Sequence, residues 1–292
     1  MRPSICASLI LLLSGVSSAE LAGFAAAQSV SAPDQVGQSP GTALTELDLT
    51  DGSVVYGHVE VSEPDRITFR TLAGSTLQVD RARIRSLQTA EGRIVNGEFQ
   101  PADPNGTRLF FGPTARSLKR GHGYVSVYEA VLPFVQVGLT DRLSFGIGTP
   151  LVFGDGGDRP VWVSPKVQLY EGGRFSAAVG LLHFTNIGDG SIGIAYAITT
   201  YGTPDSAVSV GLGRGYARDG HESGSTTLAM IGGEHRISKR VAFVTENYVW
   251  SGSGILSAGV RFFGDHLSTD LGLMKPIDAD VVAPVVNFVW TF

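Results

Sequence analysis

Residues 283–292 read "APVVNFVWTF". Side chains alternate between the two faces of an extended strand. Val286, Phe288, Trp290 and Phe292 therefore share one face, and Asn287, Val289 and Thr291 the other. Chain ends tend to fray into water, so a terminal row of bare aromatics calls for an apolar solvent. A bilayer is such a solvent. It offers the backbone no hydrogen bonds, however, so a sheet that crosses it must close on itself.

Upstream, the same texture recurs as strands of 7–11 residues at 123–131, 134–140, 143–153, 161–171, 175–184, 192–201, 207–216, 227–236, 241–250, 255–263, 267–274 and 284–292. Twelve is an even number, as an up-and-down barrel with both ends on one side requires. In "LSFGIGTPL", Leu143, Phe145, Ile147 and Leu151 oppose Ser144, Gly146 and Gly148. "IGIAYAI" sets Ile192, Ile194, Tyr196 and Ile198 against Gly193, Ala195 and Ala197, and "AVSVGLG" sets Val208, Val210 and Leu212 against Ser209, Gly211 and Gly213. The expectation is apolar residues outward and small or polar residues inward. Phe153, Trp162, Tyr170, Phe175, Phe184, Tyr201, Tyr216, Trp250 and Phe262 near strand ends are expected to form interfacial girdles. Connections at the end bearing the C-terminus are tight (140–142, 172–174, 202–206, 238–240, 264–266). Those at the other end include longer ones (154–159, 217–225, 275–283), although the first, around Leu132-Pro133, is short.

With these features in place, the segment 119–292 resembles the bacterial outer-membrane β-barrel proteins. The resemblance implies an all-β fold, an antiparallel transmembrane barrel of about 12 strands preceded by a small periplasmic module. It also implies that Val286, Phe288, Trp290 and Phe292 form the signal read by the barrel-assembly machinery.

The other end of the chain fits export. "MRPSICASLILLLSGVSSAELAGFAAAQ" has Arg2, an apolar run and an Ala25-Ala26-Ala27 cleavage site, a signal peptide over 1–27. The only cysteine, Cys6, lies within it, so disulfide and thiolate chemistry are not expected in the mature chain. Beyond residue 27 no apolar run reaches the length of a spanning helix. Residues 28–43 read as a linker rich in Ser, Pro, Gln and Gly. Over 44–100, short alternating runs are split by Asp51-Gly52, Pro64-Asp65 and Ala73-Gly74 turns, which predicts a β-module of about five strands. "LTDGSVVYGHV" followed by "ITFRTLAGSTLQV" gives it a weak similarity to Sm-like and SH3-like small barrels. Residues 101–118 read as a bridge, in which 107–113 could be an extra strand, a plug or a tether.

Candidate chemistry is sparse. The net charge of −5 excludes a nucleic-acid footprint. His58, His122, His183, His221, His235 and His266 show no zinc spacing, and His221-Glu222-Ser223 are adjacent rather than convergent as a triad requires. No catalytic, cofactor-binding or metal-ligating residue is assigned, and no cofactor is expected. Loop carboxylates at Asp155, Asp158, Asp189, Asp219, Glu222, Asp278 and Asp280 lack a calcium-loop spacing. Alternation directs Gln136, Lys166, Gln168, Arg261, Asp270 and Asn287 into the lumen. Glu246 joins them because a charge facing lipid costs up to a few kcal/mol.

The resulting expectation is a narrow channel for small solutes or an envelope structural protein in the outer membrane of a Gram-negative-type bacterium. Its partners would be outer-membrane lipid, the assembly machinery and a periplasmic partner through residues 44–100, with no nucleic acid. The competing readings are a barrel enzyme acting on lipid or peptide, and a soluble secreted β-protein.

Overall fold

The computed structural model describes residues 44–90, 92–95, 98–152, 159–187, 190–219 and 222–292. The signal peptide, the linker, Phe153, Asp155, Asp158, Asp189 and His221 lie outside the described residues, as does the side chain of Glu222. The chain divides into two units between Ala102 and Asp103.

The first unit contains β1 (Thr45–Leu49), β2 (Val54–Ser62), β3 (Arg66–Thr71), β4 (Thr76–Asp80) and β5 (Ile84–Thr89), ordered β4-β3-β2-β1-β5 in one antiparallel sheet. Alternation buries Leu47, Leu49, Ile67, Phe69 and Val79 on a common face. Each such side chain contributes roughly 1.5–3 kcal/mol when taken out of water. The Asp51-Gly52 turn works through both residues: Gly52 adopts φ 88°, and the Asp51 carboxylate accepts the Ser53 amide at 2.9 Å. Among the described residues no pairing joins β4 to β5, so the likeness to Sm-like and SH3-like barrels gains no support. A two-stranded hairpin follows, β6 (Gly92–Val95) with β7 (Glu98–Pro101).

The second unit is a closed, twelve-stranded antiparallel barrel. Its strands are β8 (Gly123–Tyr128), β9 (Leu132–Gly138), β10 (Leu143–Gly148), β11 (Val161–Gly172), β12 (Phe175–Ile187), β13 (Gly190–Thr203), β14 (Ser206–Asp219), β15 (Glu222–Ser238), β16 (Val241–Trp250), β17 (Ser253–Phe263), β18 (Leu267–Pro276) and β19 (Ala283–Thr291). Closure joins β19 to β8, and the terminal residue completes the seam. The Phe292 amide donates to the Gly123 carbonyl at 2.9 Å, and the Gly123 amide to the Phe292 carbonyl at 2.8 Å. Closure leaves no unpaired edge. The barrel's lower end is the one where β8 starts and β19 finishes.

The wall is uneven. β8, β9 and β10 have 6, 7 and 6 residues, whereas β12 to β15 have 13, 14, 14 and 17. Two expectations about length need correction. The strand expected over 143–153 stops at Gly148, two residues before Pro150, which cannot donate to a ladder. The loop expected over 217–225 is mostly strand. Arg218 pairs with Ser223 and Asp219 with Glu222, so the β14–β15 pairing runs through most of that stretch. At the upper end of this short flank, β8 turns into β9 through Glu129 and Ala130, both at positive φ (49° and 59°). That geometry suits Asn or Gly and strains these two residues.

The outer surface carries the expected row: Phe288, Trp290 and Phe292 are all exposed, as are Phe145, Ile147, Val208, Val210 and Leu212. Tyr170, Phe175, Tyr201 and Phe262 are exposed near the lower end. Two expectations about orientation do not hold. Trp162 is buried inside the barrel, and Phe184 and Trp250 share the inward register of their strands, so none of the three belongs to a girdle. On β13 the phase is reversed. Ile192, Ile198 and Thr200 are buried in register with Ile194 and Tyr196, while Ala195, Ala197 and Thr199 face outward.

Candidate functional site

Two features fill the bore, a polar lower half and an apolar upper half. The lower half is organised by residues 103–118, which enter the barrel as a short hairpin. Arg108 bridges Pro113, the Leu109 amide donates to the Gly112 carbonyl at 2.8 Å, and the Thr114 amide to Thr107 at 3.0 Å. The tip, Leu109-Phe110-Phe111-Gly112, presses into the wall. Leu109 fits over Gly232 and Phe110 over Gly272, while Gly112 sits beneath the Tyr248 hydroxyl. A methyl group at Gly232 would collide with Leu109, so small wall residues form the sockets for the tip.

Charge holds the hairpin in place. Arg108 Nη1 donates to Asp270 Oδ2 at 2.6 Å, and Arg261 Nε donates to Asp270 Oδ1 at 2.7 Å. Arg261 Nη2 donates to the Leu109 carbonyl at 2.6 Å. Asn287 donates to the Phe110 carbonyl at 3.1 Å. Asn105 accepts from Arg108 at 2.7 Å and donates to Ser268 at 2.7 Å. Glu246 accepts the amides of Phe111 and Gly112 at 3.0 Å and the Tyr248 hydroxyl at 2.7 Å. Lys166 Nζ points at three hairpin carbonyls, Thr107 at 3.1 Å, Thr114 at 3.1 Å and Arg116 at 2.7 Å. Gln168 donates to the Ala115 carbonyl at 3.1 Å, and the Ala115 amide donates to Thr200 at 2.8 Å. Arg116 closes the set on Glu234 at 2.6 Å, and Asp103 lies 3.6 Å from Arg261.

Four cations (Arg108, Arg116, Lys166, Arg261) thus face four carboxylates (Asp103, Glu234, Glu246, Asp270). Buried charge is tolerable only when paired and hydrogen-bonded, and the hairpin backbone supplies many of those bonds.

All seven polar positions expected in the lumen face the bore. Lys166, Gln168, Glu246, Arg261, Asp270 and Asn287 engage the hairpin. Gln136 stands apart, accepting from Tyr124 at 2.7 Å and donating to Ser144 at 3.1 Å. Sequence reasoning missed Asp103, Asn105, Arg108 and Arg116, because nothing local marks a charged bridge as an insert. It also missed Glu234, although its spacing from Met230 and Gly232 on β15 gives it their inward phase. His183 faces outward and meets Tyr216 at 2.8 Å.

Above the hairpin lies a cavity of about 290 Å³. Phe111 and Gly112 form part of its floor, and Phe134, Trp162, Phe184, Ile194, Tyr196, Leu228 and Tyr248 stand in its walls. A ladder of rings climbs one side, Phe111–Tyr128 at 5.5 Å, Tyr128–Phe134 at 6.0 Å, Phe134–Trp162 at 6.4 Å and Trp162–Phe184 at 5.5 Å between centroids. Inward glycines make the room: Phe134 lies on Gly146, Trp162 on Gly148 and Tyr196 on Gly180. The reversed phase of β13 supplies the opposite wall.

No family model and no curated protein matches the chain. Solved structures do. The KdgM porin, in complex with disordered oligogalacturonate, aligns at 8% identity and a TM-score of 0.46, covering 59% of this chain and 98% of that one. A loop-deletion mutant of OmpT, an outer membrane protein of Vibrio cholerae, aligns at 9% and 0.37, covering 85% and 96%. Salmonella typhi OmpF, in complex with daunomycin, aligns at 10% and 0.34, covering 86% and 96%. The solved chains it resembles are outer-membrane β-barrels. Scores this low fix neither strand number nor activity, and the closed twelve-stranded barrel here rests on the chain's own pairing.

Proposed function

We propose that the mature chain is an integral outer-membrane barrel whose bore is a narrow pathway for small solutes, held shut by its own residues 103–118. The membrane part of this reading is supported by the outward rows of aromatic and aliphatic side chains on a sheet without edges. A soluble protein rarely leaves so much contiguous apolar surface in water. In this reading residues 1–27 direct export, residues 44–100 lie in the periplasm and are open to a partner there, and the lower end faces the periplasm. The row Val286, Phe288, Trp290 and Phe292 is then what the assembly machinery engages.

The observation that carries the gated pathway is the grip of the wall on the hairpin. Asp270, Glu246 and Lys166 hold its backbone and Arg108 from three strands, so solute passes only when that grip is released. Planar-bilayer recording tests it. The intact protein is expected to stay mostly silent, with brief openings, and Asp270→Asn or deletion of residues 105–116 to give a sustained conductance. A heat-modifiable barrel that stays silent in all forms would leave the envelope-structural reading instead.

A further inference from the structure

We propose that the cavity above the hairpin is a binding site for a small, uncharged aromatic molecule of one to two rings. This deepens the membrane-barrel reading and rests on it.

Four observations converge. First, the charged groups of the bore lie below the cavity or are already engaged at its floor: Glu246 accepts three donors, and Arg108 is committed to Asp270 and Asn105. What remains around the space is mainly ring and aliphatic surface. A sugar, a phosphate or a carboxylate would lose its hydration there without replacement. Second, β13 turns Ile192, Ile194 and Tyr196 inward and offers Ala195, Ala197 and Thr199 to the outside. Lipid would have accepted those larger apolar side chains, so their inward placement serves the contents of the bore. Third, the walls present flat faces at set positions. The Phe134 and Trp162 planes lie 10° apart, each ring seated on a glycine, which favours a planar guest over a coiled one. Fourth, the volume of about 290 Å³ is roughly twice the ~150 Å³ of an apolar cavity that stays dry and takes up benzene.

The test uses the full mature chain folded in lipid nanodiscs, in a Trp250→Phe, Trp290→Phe background that leaves Trp162 as its one tryptophan. Naphthalene is the probe. Saturable quenching of Trp162 is expected. It should weaken at least tenfold when Ile194→Phe and Leu228→Phe fill the space, and stay unchanged with Val210→Phe on the outward face of β14. Decane and glucose should not displace the probe. A linear response that is the same in the filled variant would mean partition into lipid and would overturn the site. Displacement by decane as effective as by naphthalene would overturn the aromatic assignment. Heat-modifiable gel mobility, recorded on every sample, separates the two levels. A heat-modifiable barrel without saturable quenching removes the site alone. A chain that is monodisperse without amphiphile removes the membrane reading and the site with it.

Discussion

Arg108 on the inserted hairpin and Asp270 on β18 are 162 residues apart in the chain, yet they meet at 2.6 Å with both side chains almost fully buried. Asp270 also receives Arg261, so one carboxylate ties the hairpin to the wall. Asp270→Ala leaves two guanidinium groups short of their anion in a dry interior. The expected loss is about 3–5 kcal/mol, the usual cost of breaking a buried pair from one side. Urea unfolding followed by tryptophan fluorescence checks it. A loss below about 1 kcal/mol would mean that the hairpin does not depend on this link.

Lys166 makes a different kind of contact, with three carbonyl oxygens and no carboxylate within its hydrogen bonds. Lys166→Met keeps the bulk and removes the donor. Each acceptor that water fails to reach then costs about 1–3 kcal/mol. Arginine is expected not to rescue it, because a planar fork does not replace a compact ammonium among converging oxygens. Hydrogen exchange at the Thr114 amide, which closes the hairpin on Thr107, should accelerate in both variants.

Gly148→Ala forces the new methyl group into the Trp162 indole, with the Pro133 carbonyl 2.8 Å away on another side. The expected cost is about 1–3 kcal/mol, in the range of overpacking, with a change in the near-ultraviolet dichroism of Trp162. Gly211→Ala is the comparison. Its nearest neighbour would be a carbonyl at 3.2 Å, and the effect should be clearly smaller.

Glu129, in the strained turn after β8, is half-buried, and burial pushes its carboxyl up to about 7. At low pH the group is neutral in both states and contributes no difference. As pH rises from 4.5 towards 7, the unfolded chain ionises first, so stability is lost through that window. Glu129→Gln should match the wild type near about pH 4 and exceed it near about pH 8, a comparison that cancels the other titrating groups. Thermal midpoints in one detergent check it. Equal midpoints at both values would refute the assignment.

The number of strands and their closure were legible because alternation and turn residues repeat locally, as "LSFGIG" and "AVSVGLG" show on β10 and β14. The inward phase of Glu246 followed from cost alone. The phase of β13 did not, because alternation separates two faces without saying which is lipid when both environments are apolar. Trp162 and Phe184 were misread for the same reason: a ring near a strand end suits an interface and an apolar bore equally well. A plug was one of three options for 107–113, and local sequence did not choose among them. The hairpin's partners Lys166, Glu246 and Asp270 lie on three separate strands, and only closure of the barrel brings them around Arg108 and Gly112.

The uneven rim has a mechanical consequence. Six residues of β8 reach roughly 20 Å even before tilt, at about 3.3 Å per residue, against an apolar band of about 25 Å in barrels that cross an outer membrane. In such a bilayer the acyl chains beside β8 to β10 must shorten or the whole cylinder must lean, as mismatched proteins do. For a barrel that sits upright in such a bilayer, the thinnest lipid therefore lies along the flank of β8 to β10.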